Sequence, residues 1–98
     1  MFGAENIHPK EVLDILVVED EHKLANAIAE GLLRNGYQVI VAYSGESALE
    51  QLREHNFDLI LLDIMLPRMG GLETLRELRR DGFKIPVLAL TSKGSRCV

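Results

Sequence analysis

Apolar positions along this chain alternate between two periods. Short runs rich in branched apolar residues occur at Leu13–Val18, Val39–Val41, Leu59–Leu62 and Val87–Leu90, and between them apolar residues recur at helical spacing. The first run predicts a strand that ends at Glu19-Asp20. From His22 to Asn35, the positions Leu24, Ala25, Ile28, Ala29, Leu32 and Leu33 fall on one helical face. Asp20 is placed to cap that helix, and Gly36 to close it with a left-handed residue. Gly31 inside the helix costs up to about 1 kcal/mol against alanine, which close packing there would justify. Tyr37 to Ala42 predicts a second strand. Ser44-Gly45 opens a second helix, with Ser44 as cap and Ala48, Leu49 and Leu52 as its apolar stripe. After Asn56-Phe57 comes Asp58-Leu59-Ile60-Leu61-Leu62-Asp63, then a loop running through Pro67, Gly70 and Gly71. Leu72, Leu75 and Leu78 mark a third helix, with Arg79 and Arg80 at its negative end. Pro86 suits the start of a fourth strand, Val87–Leu90, which leads to Thr91-Ser92.

The Asp58–Asp63 run is too short for a membrane span and apolar on both sides of the pleat. It therefore predicts a central parallel strand covered on both faces. Strands alternating with helices predict an α/β fold, a doubly wound parallel sheet. In such sheets the working site lies beyond the carboxyl ends of the strands, where this chain places Glu19, Asp20 and Asp63. They meet only if the strand order is 2-1-3-4, with the switch point between the first and third strands. Three carboxylates at close range either raise one another's pKa or recruit a cation. An oxygen-only donor set suits Mg²⁺ or Mn²⁺ rather than zinc. Beside such a cation Asp63 could attack a phosphoryl group, the metal neutralising charge on the transferred oxygens. Thr91, ending the fourth strand, offers that group a hydroxyl. Taken singly, each strand-end acid reads as a helix cap; their convergence at one sheet end favours a site.

Composition narrows the class. The 98 residues make one domain, with residues 1–12 expected as a loose leader, 13–92 as the folded unit and 93–98 as a tail. At 47% apolar and 27% charged the chain is an ordinary globular one, and a net charge of −4 argues against a nucleic-acid-binding surface. Gln51-Leu52-Arg53 and Arg76 to Arg80 read as solvated helix faces. Cys97 stands alone, which excludes an internal disulfide and suits a reducing cytoplasm. No apolar run approaches membrane length and no signal peptide is evident, so a soluble cytoplasmic protein is expected. His8, His22 and His55 lack metal-ligand spacing and read as surface residues. A dinucleotide binder needs a Gly-rich loop after the first strand, where this chain has Glu19-Asp20-Glu21-His22. A haloacid-dehalogenase-like phosphatase needs a second acid two residues after its nucleophile, where this chain has Met65.

Val17-Val18-Glu19-Asp20-Glu21, Leu61-Leu62-Asp63-Ile64-Met65-Leu66-Pro67, Met69-Gly70-Gly71-Leu72 and Leu90-Thr91-Ser92 together resemble the receiver domains of bacterial two-component response regulators. The resemblance covers residues 13–92, and its wording is most similar to the branch whose receivers precede a winged-helix DNA-binding domain. It implies a flavodoxin-like receiver fold and a phosphoacceptor, not an enzyme. Asp63 would take a phosphoryl group from the phosphohistidine of a sensor histidine kinase. Glu19, Asp20, Asp63 and the backbone carbonyl of Met65 would hold Mg²⁺, with Glu19 acting partly through water. Thr91 would be the switch hydroxyl, with the Ser92 amide beside it.

The family pattern continues through a fourth helix, a fifth strand carrying a lysine before a proline, and a fifth helix. None of these follows in this sequence, and Lys93 does not match the active-site lysine. A receiver cut short at four strands is therefore expected, with the Val87–Leu90 edge open. An open apolar edge invites pairing with a second copy, so a homodimer or higher oligomer is expected. The alternative function is an interaction module whose phosphorylation is impaired.

Overall fold

The computed structural model describes residues 11–90. In chain order the elements are β1 (Asp14–Val18), α1 (His22–Arg34), β2 (Gln38–Ala42), α2 (Gly45–Glu54), β3 (Leu59–Asp63), α3 (Gly71–Arg80) and β4 (Val87–Leu90). The strands form one parallel sheet in the order β2-β1-β3-β4. This is the order that brings the acidic strand ends together, because β1 and β3 are neighbours with Val18 opposite Leu62. Thr91, Ser92, Lys93, Cys97, His8, residues 1–10 of the leader and the 93–98 tail lie outside the described residues.

The period of two along the strands divides the core in half. Leu16, Val18, Ile60 and Leu62 point to one face, where Ala48, Leu49 and Leu52 of α2 and Leu78 of α3 cover them. Ile15, Val17 and Leu61 point to the other, under Ile28 and Leu32 of α1. The central strand β3 is thus covered on both sides, as its unbroken apolar run predicts. On β4 the covering thins: Val87 packs into the first cluster and Leu90 into the second, while Leu88 is 55% exposed. No helix among the described residues is long and apolar enough to cross a membrane.

Four local expectations are corrected. Asp20 does not cap α1; the N-cap is Glu21, and it makes no side-chain capping bond. Gly31 is not held by close packing, since a Cβ built there meets nothing within 4 Å. The stripe of α3 is rotated: Gly71, Thr74 and Leu78 are its buried residues, while Leu72 is exposed. Leu33 likewise faces solvent. Other signals hold. Ser44 caps α2 by accepting the Ser47 amide at 3.0 Å, and Gly36 follows α1 at φ +92°, a conformation that favours glycine.

Candidate functional site

The site grows from the ends of β1 and β3. The amide of Glu19 donates to the carbonyl of Ala42 at 3.0 Å, which extends the pairing of β1 with β2 by one step. The Glu19 side chain is thereby turned into the protein and is 2% exposed. Its Oε2 accepts the amide of Glu21 at 3.0 Å, tightening the turn into α1. Asp20, between them, is exposed. Asp63 ends β3 and is 1% exposed. Its Oδ1 accepts the Met65 amide at 2.9 Å, whereas its Oδ2 is buried and accepts no N–H or hydroxyl donor among the described residues. The next amide, of Ile64, donates to the carbonyl of Leu90 at 3.0 Å and ties this loop to β4.

Carboxylate oxygens of Glu19, Asp20 and Asp63 all lie within 4.8 Å of one another. Burial, the larger cause, pushes the Glu19 carboxyl up from 4.5 to about 7; the Glu21 amide opposes this, while the negative charges of Asp63 and Asp20 add to it. A buried carboxylate oxygen without a donor and a glutamate held back from ionising are two costs that one divalent cation relieves. The donors are all oxygen, so the residues present fit Mg²⁺ or Mn²⁺. Met65 enters through its amide, and its side chain is 57% exposed. A cavity of about 380 Å³, lined among others by Asp14, His55 and Phe57, opens at the opposite end of the sheet, away from the acids.

Other residues shape the site without having been singled out by the pattern of apolar positions. Gly71 packs so closely against the end of β3 that an added Cβ would collide with the Asp63 carbonyl and the Ile64 Cα. The repeated glycine at Gly70-Gly71 was the available signal. His22 is exposed but not isolated: its ring stacks on Tyr43 with centroids 3.7 Å apart. Nothing in the spacing of these two residues announces that contact.

Comparison with known proteins agrees with this geometry. Residues 15–97 match the model of the response regulator receiver domain. The chain belongs to that family. This receiver is 44% identical over 79 residues to the transcriptional regulatory protein DltR of Streptococcus agalactiae, a match covering 81% of this chain and 35% of that protein. It thus spans about a third of the length of the curated relatives it matches. Among solved structures, the N-terminal domain of a response regulator receiver protein from Methanoculleus marisnigri superposes with a TM-score of 0.81 at 43% identity, over 86% of this chain and 70% of that one. The response regulator TrrA of Thermotoga maritima, solved in complex with Mg²⁺-BeF, gives 0.77 at 35% identity, over 84% and 71%. The receiver therefore shares the flavodoxin-like fold of these neighbours.

Proposed function

We propose that this receiver is a phosphoacceptor, with Asp63 as the residue phosphorylated. The observation that carries the reading is the unpartnered Oδ2 of Asp63, buried at the end of β3 beside Glu19 and Asp20. Asp20, Asp63, the Met65 carbonyl and Glu19, in part through water, would hold Mg²⁺. That ion, when bound, would neutralise charge on the phosphoryl oxygens. The Mg²⁺-BeF complex of TrrA supports this assignment.

The chain's own part is to hold a nucleophile in line. The Asp63 carboxylate attacks the phosphorus of a sensor kinase's phosphohistidine, forming an acyl phosphate. The P–N bond breaks, its electron pair returns to the imidazole nitrogen, and that nitrogen takes a proton from water. The Met65 amide fixes one carboxylate oxygen, so the other is left to react. Thr91 and Ser92 would bind the transferred group. The protein acts here as a stoichiometric acceptor in the cytoplasm, and a transcriptional output is proposed by analogy with DltR.

The deciding experiment is intact mass after incubation with Mg²⁺ and a small acyl-phosphate donor. The wild type is expected to gain one phosphoryl group and Asp63→Asn none. Folded, Mg²⁺-binding protein that gains nothing would overturn the reading. The exposure of Leu88 on β4 favours a second reading, in which that strand is buried against a second copy of the chain. Sedimentation showing only monomer at high concentration would exclude it.

A further inference from the structure

Asp20 is the one acid of the site that is exposed, and its carboxylate lies within 4.8 Å of those of Glu19 and Asp63. The segment that carries it is tied at both ends. At Glu19 the tie is the backbone bond to Ala42. The residue after Ala42 is Tyr43, and it supplies the second tie. Its ring lies on that of His22, with centroids 3.7 Å apart and planes 23° from parallel, and its hydroxyl donates to Oδ1 of Asn26 at 3.2 Å. His22 and Asn26 are one turn apart on α1, so Tyr43 grips the start of that helix at two points. The grip stands where a cap would otherwise act, because Glu21 makes no side-chain capping bond and the first turn has no acidic residue.

We propose that the clamp of Tyr43 on His22 and Asn26 positions Asp20 for cation binding by bracketing the Glu19–Glu21 segment between α1 and the end of β2. The inference rests on the reading of the three acids as a cation site. Tyr43 and His22 are positioning residues, and neither is a ligand. Stacked rings resist the outward swing of Asp20, so loosening them weakens affinity without removing a donor.

The test is calorimetric titration of the 98-residue protein with MgCl₂ at neutral pH, beside circular dichroism of each variant. Tyr43→Ala is expected to weaken Mg²⁺ binding roughly three- to tenfold, in line with the strength of a stacked aromatic pair. Tyr43→Phe, which keeps the stack and loses an exposed hydroxyl bond, is expected to recover affinity to within about twofold of wild type. His22→Ala removes the same contact from an exposed position, so its loss is expected to match that of Tyr43→Ala. The double variant is expected to be no weaker than the worse single one, as coupled residues require. Equal affinity in wild type, Tyr43→Ala and His22→Ala would overturn the clamp alone. A Tyr43→Phe loss as deep as the alanine one would overturn the role of the stacked rings and leave the hydroxyl bond to Asn26 as the positioning contact. A wild type that binds no Mg²⁺ would overturn the cation site and the clamp together, which keeps the two failures distinguishable.

Discussion

Gly31 sits inside α1 with open space where its side chain would be. Glycine there costs conformational entropy and gains no packing in return. Gly31→Ala is therefore expected to stabilise the protein by up to about 1 kcal/mol, which for a domain of this size raises the melting temperature by roughly 4–8 °C. Thermal unfolding followed by circular dichroism checks it, and an unchanged or lower midpoint counts against it. The same residue shows why single positions resist reading from sequence. Apolar spacing locates the helix, but it cannot tell whether a gap in the stripe faces a neighbour or water. The expected Asp20 cap fails for a related reason: three acids follow one another at Glu19-Asp20-Glu21, and each could cap. The choice is made by Glu19, whose buried carboxylate takes the Glu21 amide and so starts the helix one residue later than an Asp20 cap would place it. The burial of Asp63 beside Glu19 and Asp20, by contrast, follows from the strand order, since each acid alone reads as a helix cap and only their convergence sets them apart.

At the scale of elements, strands and helices follow from their periods, with β1, β2 and β3 each starting one residue after the Leu13, Tyr37 and Asp58 at which strands are expected. The face that α3 buries did not follow. A helix packed hard against a strand end needs small residues at the contact, and Gly71 and Thr74 are invisible to a count of leucines. Thr74 is fully buried, donates to the Gly70 carbonyl at 2.9 Å, and lies where any Cβ on Gly45 would have to go. Gly71 thus lets α3 meet the backbone at the end of β3, and Gly45 leaves room on α2 for the Thr74 and Met69 side chains. Gly71→Ala is expected to cost about 1–3 kcal/mol, the range for forcing extra volume into a packed core. Its obstacle is the Asp63–Ile64 backbone rather than a mobile side chain, so the loss is also expected to reach the site. Mg²⁺ affinity and phosphorylation of Asp63 in this variant are expected to fall together, whereas Gly31→Ala leaves both unchanged. A Gly71→Ala protein of wild-type stability would show that α3 can shift away at little cost.

For the whole molecule, the buried acids make stability depend on pH. The charged form of Glu19 is the disfavoured one, its carboxyl being pushed up from 4.5 to about 7 when folded. Between those values the folded chain holds a proton that the unfolded chain has released. Protonation of Glu19 therefore favours folding fully below about 4.5, and this contribution is lost as pH rises through about 7. A shift of that size corresponds to a difference on the order of 3 kcal/mol, at 1.36 kcal/mol per unit. Urea unfolding in the presence of a chelator is expected to show the wild type losing stability between pH values on either side of this window. Glu19→Gln, which has no proton to lose, is expected to lose less over the same interval, and the difference between the two isolates Glu19 from the other carboxylates. Saturating Mg²⁺ is expected to reverse the loss above neutral pH, because a cation that binds only the folded chain stabilises it by about 2.7 kcal/mol at a hundred times its dissociation constant. If wild type and Glu19→Gln instead lose stability in parallel, burial of Glu19 is not what the fold gives up to assemble three acids at one sheet end.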